Sequence, residues 1–233
     1  MGSFDAVIER AAKRKGGVEA LEKLIGESTQ PKSPAELAAI PGDRWLAMMT
    51  RCIFQAGFNW KVIENKWPGF EEAFEGFDPP RWAFAPDEDL DALARDKRIV
   101  RNPQKIATVR DNAIFVCDLT KEHGSAGRFF ADWPMTDQVG LLEVLKNRAS
   151  RLGGNTAQYF MRFMGLDTFI LSRDVTAALK LEGVIDKPAT SKSAMKAVQQ
   201  AFNAWAGETG RSRVQLSRIL AMSAGENSGV PGH

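Results

Sequence analysis

Residues 151 to 160 read Arg-Leu-Gly-Gly-Asn-Thr-Ala-Gln-Tyr-Phe, and this stretch separates two segments with helical patterning. Paired glycines at Gly153 and Gly154 allow positive φ angles and a close approach of backbone to another molecule. The helix that follows would open with backbone N–H groups that lack intrahelical partners. Such a helix start attracts anions, so we expect a phosphate-sized site at this glycine turn.

The segment before the turn has the pattern of an amphipathic helix. Thr136 is placed to cap it, and its apolar positions recur at helical spacing at Val139, Leu142 and Leu145. Basic residues cluster near its end, as the helix dipole favours: Lys146, Arg148 and Arg151. We therefore predict a helix, a tight hairpin and a second helix.

An acidic residue follows the second helix. We expect Gly165 to end that helix and Ser172 to cap a third, which places Asp174 in a first turn where the helix dipole favours a charged carboxylate. Taken alone, this arrangement also fits an ordinary helix-turn-helix corner of a helical domain.

Composition excludes several classes of protein. The chain has 233 residues, of which 44% are hydrophobic, so it can bury one or two compact cores. We find no apolar run long enough to cross a bilayer and no signal peptide, and we therefore expect a soluble, cytoplasmic protein. Two cysteines and two histidines form no recognisable metal-binding pattern, so we expect no metal. The net charge of +2 predicts no particular partner.

The remainder of the chain also predicts helices. Gly16-Gly17 divides an amphipathic region, Ser33-Pro34-Ala35-Glu36 has the form of a capping box, and Asn59 and Asn102 each stand where a helix can begin. We expect a short helix around Phe70, Phe74 and Phe77 before Asp78-Pro79-Pro80, a connection at 186–188, and Thr190 or Ser191 capping a late helix. Since no segment alternates with period two, we predict an all-α fold.

The hairpin and the following acid resemble the helix-hairpin-helix DNA glycosylases. In that superfamily the turn reads Leu-Pro-Gly-(apolar)-Gly, and a catalytic Asp follows some two dozen residues later. This chain matches at Leu152 and Gly154, and Asp174 lies 174 − 152 = 22 residues beyond Leu152. Asp167 is the second candidate acid.

The middle of the chain is similar to a closer family, DNA-3-methyladenine glycosylase I. Five blocks occur in the family's order between residues 45 and 185: Gln55-Ala56-Gly57-Phe58-Asn59-Trp60, Phe77-Asp78-Pro79, Ile99-Val100-Arg101-Asn102, Lys105-Ile106 and Asn112-Ala113. The resemblance implies a base-excision repair enzyme that rotates a nucleotide out of duplex DNA and cuts its N-glycosidic bond.

The resemblance also implies site residues. Asp174 is the expected catalytic acid, and the expected base pocket contains Trp60, Cys52, Phe54, Gln55 and Trp45. The expected DNA-contacting residues are Arg151, Leu152, Gly153, Gly154, Asn155, Thr156, Gln158, Gly57 and Phe58. We expect no cofactor other than a possible monovalent cation at the hairpin, and damaged double-stranded DNA as the partner of a monomeric enzyme without membrane contact.

Three positions depart from the family pattern. Gln158 occupies the register of the Schiff-base Lys of the lyases, so we predict a monofunctional enzyme. Cys52 replaces a pocket Glu, which weakens the expectation of a cationic 3-methyladenine substrate. The Cys and His residues with which the family binds zinc are missing.

For domain organisation we expect one two-lobed catalytic unit over 1–233. One lobe covers about 40–135, while about 136–185 packs with 1–39 and 186–224, and 225–233 forms a flexible tail. The cleft would have the hairpin and Asp174 on one wall and the Gln55–Trp60 corner on the other. Three alternatives remain: a DNA-binding module without catalysis, a glycosylase for an uncharged lesion, and a helical scaffold with no nucleic-acid role.

Overall fold

The computed structural model describes residues 2–28 and 30–224. Over this part of the chain the protein is helical and contains no strand, which confirms the predicted all-α class. The predicted tail at 225–233 lies outside the described residues.

The chain forms two compact units. The Asp174 unit comprises the described parts of 1–32, 134–141 and 161–233, and the hairpin unit comprises 33–133 and 142–160. We expected 136–185 to pack as one block with 1–39 and 186–224, but residues 33–39 and 142–160 belong to the hairpin unit. Ring contacts explain part of this difference, because Phe160 packs edge-on against both Trp45 and Phe130.

The helices of the hairpin unit are α3 (Pro34–Ala38), α4 (Gly42–Gln55), α5 (Trp60–Ala73), α6 (Pro79–Ala83), α7 (Asp87–Leu93), α8 (Pro103–His123) and α9 (Ala126–Asp132). Those of the Asp174 unit are α1 (Asp5–Lys15), α2 (Val18–Gly26), α12 (Arg173–Leu181), α13 (Lys192–Thr209) and α14 (Arg213–Ser223). The predicted hairpin helices are α10 (Gln138–Arg148) and α11 (Gly154–Met164), each with residues in both units.

Each unit has an aromatic core. In the hairpin unit Trp45 stacks on Phe130 with ring centroids 4.2 Å apart. In the Asp174 unit Phe169 stacks on Phe202 at 4.5 Å, and Trp205 packs edge-on against Phe202. Burial of these large rings supplies much of the stabilisation of each unit.

Most predicted helix starts are confirmed. Ser33 forms the capping box with Glu36, and the side chains of Asn59 and Asn102 accept hydrogen bonds from Lys61 N and Lys105 N. Of the two candidates for α13, Ser191 is the cap.

Two local predictions are wrong. Thr136 does not cap α10, because residues 135–137 form a 3₁₀ turn and the carboxylate of Asp137 accepts the hydrogen bond from Gly140 N at 3.1 Å. Phe70 lies within α5 instead of a separate short helix, and Phe77 ends a 3₁₀ turn. A helix for which we made no prediction, α6, follows at residues 79–83, because Asp78 caps it and Pro79 suits its first position.

Candidate active site

The glycine turn between α10 and α11 has the geometry of a tight hairpin. Both Arg151 and Gly154 adopt positive φ angles, 56° and 54°, and such an angle is uncommon for a residue with a side chain. Gly154 and Asn155 are exposed at the start of α11. The backbone N–H groups of the first turn of α11 are therefore at a surface, as an anion site requires.

A buried side chain from α8 holds this turn. Asn112 is fully buried, and its amide donates to Ser150 O at 3.2 Å while its oxygen accepts from Ser150 N at 2.8 Å. Arg151 also donates to the side-chain oxygen of Gln104, on the first turn of the same helix, at 2.8 Å. The Asn-Ala block at 112–113 therefore supports the shape of the hairpin.

Two of the predicted DNA-contacting residues do not lie on this surface. Leu152 is 1% exposed and Gln158 is 4% exposed. Leu152 is an apolar residue of the core, and the side chain of Gln158 is buried in the first turns of α11. Gly153, Gly154, Asn155 and Thr156 are at least partly exposed.

A cavity of about 570 Å³ joins two segments that are distant in the sequence. One segment is the corner between α4 and α5, and the other is the first turns of α11. The lining residues are Cys52, Gln55, Ala56, Gly57, Phe58, Asn59, Trp60, Asn155, Thr156 and Tyr159. The hairpin and the Gln55–Trp60 corner thus both line one cavity, and all of its lining residues belong to the hairpin unit.

Aromatic rings define one side of this cavity. Trp60 and Tyr159 pack edge-to-face with centroids 5.1 Å apart and an interplanar angle of 85°. Tyr159 was missed in the sequence, although it is the only tyrosine of the chain and lies one helical turn beyond Asn155 and Thr156. That spacing places all three on one face of α11, and it was the available indication of a role.

Lys105 stabilises the corner between α4 and α5. Its ammonium group donates to Phe54 O at 3.1 Å and to Ala56 O at 2.7 Å, the carbonyls at the end of α4. A cation is favourable at this negative end of the helix dipole. Desolvation, with a further contribution from Arg151, lowers the pKa of Lys105. Beyond these carbonyls the chain turns at Gly57, with φ 67°, and Phe58 is 45% exposed.

Two residues expected in the base pocket are core residues instead. Trp45 is fully buried, stacks on Phe130 and donates from its indole N–H to Ile40 O. Phe54 is 1% exposed and packs edge-on against Phe70. Neither lines the cavity, because both point from α4 to the interior of the hairpin unit.

Cys52 and Gln55, in contrast, do line the cavity. Burial raises the pKa of the Cys52 thiol to about 12, against a smaller opposing effect of Arg51, so the thiol is neutral at physiological pH. Gln55 is 3% exposed, and its side-chain oxygen has no hydrogen-bond partner among the described residues.

The two candidate acids have different surroundings in the Asp174 unit. Ser172 caps α12 by accepting from Val175 N, as predicted, and Asp174 lies half-buried in the first turn. Among the described residues, none forms a hydrogen bond or ion pair with the Asp174 carboxylate. Asp167 pairs with Arg213 at 3.3 Å and accepts from Val214 N at 3.0 Å. Both oxygens of the Asp167 carboxylate therefore contact the start of α14 and stabilise it.

The described residues contain no group of three or more His, Cys, Asp or Glu side chains able to hold a metal ion. Over the same ranges, no helix combines the length and apolar character needed to cross a membrane.

The helical fold and its glycine hairpin are those expected of a helix-hairpin-helix protein, and a comparison with known families identifies the class. The model of the methyladenine glycosylase family matches residues 42–166, and the chain belongs to this family.

Solved structures provide a second comparison. The 8-oxoguanine DNA glycosylase of Methanocaldococcus jannaschii aligns at 15% identity over 93% of this chain and 92% of its own, with a TM-score of 0.56. That of Thermotoga maritima aligns at 15% identity over 93% and 95%, with a TM-score of 0.54. A 3-methyladenine DNA glycosylase I from Staphylococcus aureus aligns at 22% identity over 59% and 80%, with a TM-score of 0.49. The first two structures align with nearly the whole chain, and both have the same fold as this protein.

Proposed function

We propose that this protein is a monomeric DNA glycosylase that excises a damaged purine from double-stranded DNA without cutting the strand, and its family membership makes an alkylated purine of the 3-methyladenine type the first of two candidate substrates. The observation that carries the proposal is the cavity that joins the Gln55–Trp60 corner to the hairpin. An enzyme that acts on a base in a duplex needs a pocket for the extruded base beside a grip on the backbone. The family membership of the chain supports the same function.

Trp60 supplies the proposed contact with the base. Its ring lines the cavity and is held edge-to-face by Tyr159. A purine alkylated at N3 carries a positive charge in DNA, and an aromatic face attracts a cation. Such a base also leaves as a neutral molecule without receiving a proton.

The hairpin supplies the proposed contact with the backbone. The N–H groups of Gly154, Asn155 and Thr156 would bind a phosphate beside the damaged nucleotide, with or without a monovalent cation. Such a contact positions the DNA and reads no sequence. The exposed Phe58 side chain, next to the turn at Gly57, is suited to enter the space left by the extruded base.

Asp174 supplies the proposed chemistry. Water adds to C1′ of the deoxyribose and loses a proton to the carboxylate or to solvent, and the base leaves with the electron pair of the N-glycosidic bond. Positive charge develops on the sugar as that bond breaks, and an ionised carboxylate stabilises it and orients the attacking water. Asp174 is favoured for this role because the carboxylate of Asp167 forms an ion pair with Arg213.

A lyase reaction would require an amine that forms an imine with the sugar. An amide side chain, Gln158, stands at the corresponding register. We therefore expect the protein to free purine bases and leave the strand intact, with no adduct after borohydride treatment.

The test uses two duplexes, one methylated and one containing hypoxanthine, with mass spectrometry of the freed bases. A known bifunctional glycosylase is the positive control for borohydride trapping. Release of a base from either duplex supports a glycosylase. Tight binding to damaged DNA with no base released would instead identify a DNA-binding module, and strand scission with a trapped adduct would contradict the monofunctional assignment.

A second candidate, a glycosylase for an uncharged damaged base, is favoured by one observation. Cys52 stands where the family has a Glu, and its neutral thiol provides no charge to attract a cationic base.

A further inference from the structure

Gln55 is a buried polar side chain with unused hydrogen-bonding capacity. It is 3% exposed, lines the cavity, and keeps its side-chain oxygen without a partner among the described residues. Buried polar atoms are nearly always hydrogen-bonded, so an exception on a residue that lines a cavity points to a ligand that completes it. The missing partner must be a hydrogen-bond donor.

The absence of charged side chains among the lining residues indicates whether the donor is a charged or an uncharged base. The ten residues that line the cavity include no Asp, Glu, Lys or Arg. Cys52 lies three positions before Gln55 on the same face of α4, and burial keeps its thiol neutral. The nearby cation Lys105 binds the carbonyl groups of Phe54 and Ala56, directly beside the corner. A cationic base would therefore meet no compensating carboxylate in this cavity, apart from the attraction of the Trp60 ring.

We infer that Gln55 accepts a hydrogen bond from an N–H group of an uncharged purine base, and that Gln55 and Cys52 make the cavity prefer such a base to a cationic one. The inference rests on the proposed glycosylase function and selects the second of its two candidates. Hypoxanthine, with an N–H on its six-membered ring, is the simplest base of this class. It would depart with the bonding electron pair and take its proton from water.

The experiment measures binding to duplexes that cannot be cleaved because the damaged nucleotide carries a 2′-fluorine. One duplex holds hypoxanthine, a second holds the cationic base 7-methylguanine, and a third is undamaged. We expect the wild-type protein to bind the hypoxanthine duplex more tightly than the other two. Gln55→Leu should weaken that binding roughly 10-fold to 100-fold, because the donor of the base is left unpaired.

Cys52→Glu provides the converse change. A carboxylate in the cavity should raise the preference for 7-methylguanine over hypoxanthine by about 10-fold or more. Cys117→Glu is the matched control, because it adds the same charge on α8 at a residue that does not line the cavity. The thermal unfolding of every variant is measured to establish that it is folded. Should Cys52→Glu fail to fold, Gln55→Glu places the same charge in the cavity and should shift the preference in the same direction.

Equal binding by the wild type and Gln55→Leu, or a wild-type preference for 7-methylguanine, would overturn the inference. Release of bases from cleavable versions of the duplexes is measured separately. Selective binding without release would contradict the proposed catalysis and leave the inference standing. Release of bases without the expected selectivity would support the proposed catalysis and contradict the inference about Gln55.

Discussion

Replacing Asp174 by Asn should slow base release by about 10²-fold to 10⁴-fold in single-turnover assays, while binding to damaged DNA is retained. An Asn side chain keeps the shape of Asp but carries no charge to stabilise the developing positive sugar. Because no described residue pairs with the Asp174 carboxylate, the substitution breaks no ion pair within that part of the chain. We expect the variant to fold with wild-type stability.

Asp186→Asn is the matched control, because Asp186 is an exposed acid of the same unit. It should release bases at the wild-type rate. Asp167→Asn should behave differently from both, since it removes the negative charge that pairs with Arg213 and should mainly lower stability. A rate for Asp174→Asn within about threefold of the wild type would exclude Asp174 as the catalytic acid.

Replacing Asn112 by Leu should lower the free energy of unfolding by about 2–4 kcal/mol. The Leu side chain has a similar size but cannot pair with Ser150, so the N–H and C=O of that residue lose the partners they have in the native turn. Urea denaturation measures the change. We also expect weaker binding to DNA, because the same turn presents the start of α11.

Asn65→Leu provides the comparison for Asn112. Asn65 is exposed on α5, in the same unit, and its replacement should change stability by no more than about 0.5 kcal/mol. If Asn112→Leu were as stable as the wild type and bound DNA equally well, the two hydrogen bonds to Ser150 would have no part in holding the hairpin.

Much of the fold could be predicted from local chemistry. Ser172 and Asn59 cap their helices as expected, and Gly153-Gly154 separates α10 from α11, because caps and glycine turns act over a few residues. The allocation of the hairpin to a unit could not be predicted in the same way. It depends on contacts such as that of Phe160 with Trp45, which are far apart in the sequence.

The candidate site was predicted in part. Cys52, Gln55 and Trp60 line the cavity, whereas Trp45 and Phe54 belong to the core. Helical periodicity shows which residues share a face of α4, but it does not show whether that face meets a core or a cavity. For the same reason the spacing of Tyr159 from Asn155 and Thr156 shows that they share a face of α11, but not that Tyr159 packs against Trp60.

Two blocks of the family resemblance now have structural explanations. Lys105 holds the end of α4, and Asn112 holds the hairpin. Both belong to α8, so a single helix supports the corner and the turn whose residues line the cavity.

The most direct test is the structure of the Asp174→Asn variant bound to a duplex that contains a 2′-fluorinated damaged nucleotide. We predict that the damaged base lies in the cavity against Trp60, with a neighbouring phosphate at the N–H groups of Gly154, Asn155 and Thr156. A base that remains stacked in the duplex, with DNA bound away from this cavity, would contradict the proposal that the hairpin unit receives an extruded base.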